Sequence, residues 1–127
     1  MQTTELGHSI EAKNSSSIVF SLEELSCLRY VSLKYSTRAV VNISISKTLN
    51  GQWVSAARGA IITHSKLRRV QTGSLPCRFV KIDFIEGDVR LVQELNLFGC
   101  RASDLKSDLS AEDTELFLNH PYTFIYN

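Results

Sequence analysis

An all-β sandwich of the jelly-roll type, followed by one short C-terminal helix, is the fold class the sequence predicts. Three observations predict it. Residues 38–46 alternate strictly, with Ala39, Val41, Ile43 and Ile45 on one face. Residues 78–86 alternate again, with Val80, Ile82 and Phe84 inward and Lys81 and Asp83 outward. Six or seven such short segments are separated by turn signals such as Asn50-Gly51 and Gly87-Asp88, which is the pattern of a sandwich.

The elements follow in order. Residues 1–15 are polar and lack periodicity apart from Leu6 and Ile10, so a flexible N-terminal segment is expected. The sandwich domain spans residues 16–100. It opens with a strand at 17–20 and a helical turn or loop at 22–25. A strand over 28–35 follows, with Val31, Leu33 and Tyr35 on one face. The Ser36-Thr37 link is short enough for a hairpin or bulged bend into 38–46. Asn50-Gly51 then turns the chain, because both residues tolerate positive φ. Residues 52–54 resume as a strand, and a fully buried Trp53 ring would make Trp53→Ala cost about 3–5 kcal/mol. Arg58-Gly59 breaks the pattern, 60–63 is a short strand, and 64–75 is a basic loop closed by Gly73-Ser74. After Gly87-Asp88 a strand covers 89–98, with Val89, Leu91, Leu95 and Leu97 on one face. Residues 101–127 hold a helix over 110–119, started by a Ser110 cap and stopped by Pro121, and then an apolar tail.

The chain has 127 residues, which suits one domain with one core. Its 43% hydrophobic and 21% charged residues are ordinary for a globular protein. A net charge of +1 supplies no global field toward nucleic acid or anionic membrane. No apolar run approaches the roughly 20 residues of a membrane span. The N-terminus has neither a basic nor an apolar leader region, so a cytoplasmic setting is expected. The glycosylation sequons at Asn14 and Asn42 are then idle. Cys27, Cys77 and Cys100 form an odd set without a C-x-x-C pair, which favours buried thiols over a zinc site.

Chemistry is sparse. His8, His64 and His120 have no ligand spacing with Cys, Asp or Glu. Glu86 and Asp88 flank Gly87 in a turn, where solvent keeps carboxylates ionised. No nucleophile elbow, P-loop or dinucleotide motif occurs. No catalysis, metal or cofactor is therefore expected. Two surfaces stand out as binding candidates. Lys66, Arg68 and Arg69, with Arg58 upstream, offer cations to an acidic segment or phosphate. Aromatic residues are not interleaved with them, so nucleic acid is not expected. Phe117, Tyr122, Phe124 and Tyr126 make the C-terminal tail apolar enough to pack back as an added strand or to dock on a partner.

Residues 78–84 (Arg-Phe-Val-Lys-Ile-Asp-Phe), then Val92-Gln93-Glu94-Leu95 and Leu97-Phe98-Gly99-Cys100, resemble the closing strands of a discoidin-type, galactose-binding-like domain. Asn50-Gly51-Gln52-Trp53 is similar to that family's hairpin into a Trp-bearing strand. The resemblance implies a jelly-roll sandwich. The front half has no counterpart of the family's "A-x-D-G-x-x-x-T-x-W" ligand-loop stretch, which moves the expected ligand from sugar toward protein. In overall order and spacing, residues 28–35, 41–45, 52–55 and 92–97 are similar to the nicolin family, subunits of a tubulin polyglutamylase complex. That resemblance implies a scaffold in a cilium- or microtubule-linked assembly.

The expected function is thus a non-catalytic protein–protein interaction module within a multi-subunit complex, recognising a partner with an acidic segment. The alternative is a discoidin-like module that binds a glycan or a phospholipid headgroup.

Overall fold

The computed structural model describes residues 3–63 and 66–105. Among these residues eight strands run in the order β1 (Thr4–Glu5), β2 (His8–Lys13), β3 (Ser17–Tyr35), β4 (Ala39–Ser46), β5 (Val54–Ile62), β6 (Arg68–Gln71), β7 (Pro76–Glu86) and β8 (Val92–Arg101). A 3₁₀ turn at Val89–Leu91 precedes β8, and one helical turn, α1 (Ala102–Leu105), follows it.

The 19-residue β3 organises the molecule. Its first part, residues 17–21, lies between β2 and β7. Its last part, residues 28–35, pairs with β8 on one side, and residues 30–33 pair with β6 on the other. Between Ser21 and Ser26 the register shifts. Here β3 passes from one layer to the next. One layer reads β2-β3-β7-β4-β5 and the other β1-β8-β3-β6, all pairs antiparallel. Carbonyls freed at this kink find side-chain donors, as buried backbone must. Arg78 Nε donates to Leu22 O at 2.5 Å, and Ser26 Oγ donates to Glu24 O at 2.9 Å.

Both layers face one core. Phe20 and Leu22 of β3, Val41, Ile43 and Ile45 of β4, and Val80 and Ile82 of β7 come from the first layer. Val31, Leu33 and Tyr35 of β3 and Leu97 of β8 come from the second. Each such burial stabilises the fold by about 1.5–3 kcal/mol. The alternation in 38–46 and 78–86 therefore reads the core correctly.

Several local expectations are corrected. Residues 4–5 and 8–13, predicted to lack regular structure, are paired strands: backbone pairing to β3 and β8 needs no apolar side chains of its own. Residues 22–25, predicted as a helical turn or loop, are the kinked middle of β3. Ser36-Thr37 forms no hairpin. β7 lies between β3 and β4, so the link carries the chain from one layer to the other. β4 and β5 do form an antiparallel pair around Asn50-Gly51, yet the positive φ belongs to Gly59 (60°), in the middle of β5. There a bulge shifts the register, and Gly59 N donates to Asn42 Oδ1 at 2.7 Å. The basic loop contains β6. The strand predicted over 89–98 begins only at Val92. Asp88 caps the 3₁₀ turn by accepting the Arg90 N–H at 2.8 Å, which leaves Leu91 46% exposed. The helix predicted over 110–119 lies outside the described residues.

Trp53 precedes β5 and is only half-buried, with the Lys81 ammonium 4.6 Å from its ring centroid. Trp53→Ala is accordingly expected to cost about 1–2 kcal/mol, the loss of partial burial and one cation–π contact. Urea denaturation checks this, and a loss of about 3 kcal/mol or more would place the ring in the core.

Candidate functional site

A cleft of about 460 Å³ opens where the edge of β2 that has no partner strand among the described residues faces the turn before β8. β2 contributes His8, Ser9, Ile10 and Lys13. Ile18 and Phe20 of β3 form its floor, and Val89, Arg90, Val92 and Leu95 form the opposite wall. Its position follows from the topology. Residues 4–6 cover β8 at residues 97–99, and the chain then crosses through Gly7 to the other layer as β2. Residues 92–96 of β8 and the outer side of β2 are left to border an opening between the layers.

His8 is fixed in place. Its Nδ1 donates to Leu6 O at 3.0 Å, and its ring stands edge-on to Phe20 at 5.0 Å and 84°. In the neutral ring this leaves Nε2 as an acceptor. Ile10, 55% exposed, supplies apolar surface at the rim. On the facing wall Arg90 is held by Asp88: Nε lies 3.0 Å from Oδ1 and Nη2 lies 2.7 Å from Oδ2. These bonds hold the Asp88 carboxyl down at about 2. A depressed carboxylate pKa means that the pair's contribution is present above the ordinary carboxylate range and is lost as pH falls toward about 2. Asp88 is thus the opposite of a proton donor at neutral pH. Its own backbone N–H donates to the Tyr35 hydroxyl at 2.6 Å, which ties the wall to the core.

The residues singled out from sequence fall elsewhere. Arg68 and Arg69 are adjacent on β6 and diverge, because successive strand residues point to opposite faces. Arg68 Nη1 donates to Ile61 O at 2.6 Å, and Arg69 lies 5.1 Å from the centroid of the Tyr30 ring. Tyr30 is itself stacked on Phe98 at 4.9 Å. Arg58 Nε donates to Ser55 Oγ at 3.2 Å on β5, and Lys66 is exposed just before β6. Phe117, Tyr122, Phe124 and Tyr126, with His64 and His120, lie outside the described residues. Sequence reasoning missed His8, Lys13 and Arg90. Ile10, an isolated apolar residue in a polar segment, was the one signal near β2.

Cys27 and Cys77 are buried thiols, each pushed up to about 12 chiefly by burial, so neither is an activated nucleophile. Cys100 is also buried. Among the described residues no group of three or more His, Cys, Asp or Glu converges as a metal site. No helix among them is long and apolar enough to cross a membrane.

The fold is that of a galactose-binding-like β-sandwich. Solved structures that share it include a truncated AlyQ with CBM32 and alginate lyase domains (TM-score 0.61, 12% identity, 79% of this chain and 34% of that one); the CBM32 of AlyQ in complex with 4,5-unsaturated mannuronic acid (0.54, 14%, 76% and 92%); and a pectin-binding carbohydrate-binding module (0.53, 11%, 79% and 88%). The chain thus spans about a third of the truncated AlyQ chain. No protein-family profile and no curated protein sequence matches it.

These matches correct the expected function. The discoidin-type resemblance stands, while the nicolin-like scaffold reading gives way, because solved structures that share the fold include carbohydrate-binding modules and nothing among the matches supports the nicolin likeness. The physical reason is that strand alternation and turn spacing specify a sandwich without specifying what its surface binds.

Proposed function

We propose that this chain is a non-catalytic glycan-binding module whose ligand seats in the cleft between β2 and the start of β8. The observation that supports this best is the fold shared with carbohydrate-binding modules, one of them holding a sugar acid. The chemistry of the cleft agrees with it. Sugar rings present apolar C–H faces and polar hydroxyl edges, and a binding site needs concave apolar surface with a few placed polar groups. Ile10, the His8–Phe20 pair and Leu95 supply the first, and Ser9, His8, Lys13 and Arg90 the second.

A glycan array probed with the full chain tests the reading. Retention of at least one glycan family is expected. Ile10→Asp, a change at an exposed rim position, is expected to weaken that binding about tenfold or more, or about 1.4 kcal/mol. Leu49→Asp, on the exposed β4–β5 loop, leaves it unchanged. A flat array sinks the reading, and equal binding by the Ile10→Asp protein moves the site elsewhere.

A further inference from the structure

We infer that the cleft selects sugars bearing a carboxylate, with Arg90 as the residue that reads the acid; this rests on the glycan-binding reading. Cations line the cleft on both sides, Lys13 from β2 and Arg90 from the turn before β8, and no carboxylate is among its lining residues within the described part of the chain. Asp88, two residues before Arg90, faces Arg90 itself. It engages Nε and Nη2 and so fixes the guanidinium plane. The other edge of that plane, Nη1 with the second N–H of Nη2, remains a two-donor fork among the described residues. Such a fork matches the two oxygens of a planar carboxylate better than it matches the hydroxyls of a neutral sugar. Because Asp88 and the Tyr35 hydroxyl already order the turn, little side-chain freedom is left to lose on binding. Arg90 is 77% exposed at its side chain, so an incoming acid reaches it without rearrangement.

The two facing cations divide the work. Arg90 supplies directional bonds, while Lys13 supplies a mobile point charge that tolerates different ring positions. Asp88 cancels part of the Arg90 charge. The selectivity therefore comes from geometry and short-range bonding more than from long-range attraction, and it survives physiological salt better than bare surface charge does.

Isothermal titration of the full chain with a short galacturonate oligosaccharide and with its methyl ester tests this, because the ester keeps the rings and removes the charge. The acid is expected to bind about tenfold or more tightly than the ester. Arg90→Gln is expected to bring the acid-to-ester ratio close to one, and Lys13→Gln to reduce it less. Equal affinity for acid and ester in the unaltered chain overturns the inference and leaves the glycan reading standing. A sulfated oligosaccharide that binds tighter than the galacturonate also overturns it, assigning the cleft to tetrahedral anions. Ester and acid both inert, with a flat array, overturns the inference and the glycan reading together.

Discussion

Gly99→Ala is expected to destabilise the fold by about 3 kcal/mol or more, lowering Tm by on the order of 10 °C. Gly99 sits in β8, opposite Leu28 of β3 on one side and Thr4 of β1 on the other. A Cβ at this position would run into the Cys27 carbonyl oxygen and would stand 3.1 Å from the Leu28 Cα. Both are backbone atoms of the neighbouring strand, so no rotamer change relieves the overlap. β3 would have to move away from β8 where it has just left its kink, and pairing along both strands would loosen. This gives the Leu97-Phe98-Gly99-Cys100 ending a physical meaning: glycine lets two strands approach closely. Thermal melting followed by circular dichroism measures the effect. A Tm within about 2 °C of the parent would show that β8 absorbs the methyl group without moving.

Tyr35→Ala is expected to cost about 3–5 kcal/mol, as large aromatic truncations in a closed core do. The residue is 0% exposed, its ring lies 5.9 Å from that of Phe84, and its hydroxyl accepts the Asp88 N–H. Tyr35→Phe separates the contributions. It keeps the packing and orphans one N–H, at about 1–2 kcal/mol. It also frees the turn that holds Arg90, so Tyr35→Phe is expected to weaken glycan binding while the fold persists. Urea titration of both variants checks the energies. A Phe variant as stable as the parent would mean that water replaces the hydroxyl at Asp88.

Much of the fold was legible because alternation is local. Val41, Ile43 and Ile45 declare a buried face within five residues, and Val80, Ile82 and Phe84 do the same. The kinked β3 was not legible. Leu22, Glu23, Glu24 and Leu25 break the alternation, and only the partners on either side keep the chain extended there. The basic run misled for a related reason. Lys66, Arg68 and Arg69 form one cluster on paper, but once β6 pairs with β3, Arg68 and Arg69 must face opposite ways.

The sequence by itself determined the class of fold and the buried faces of β4 and β7, because burial of a strand face is written every second residue. Only the tertiary structure decided the site. His8, Lys13, Phe20 and Arg90 share no spacing. They meet because β3 belongs to two layers and the outer edge of β2, unpaired among the described residues, faces the turn that Asp88 and Tyr35 hold. Pairing between distant strands creates that cleft, and a property made by distant pairings has no local period to read.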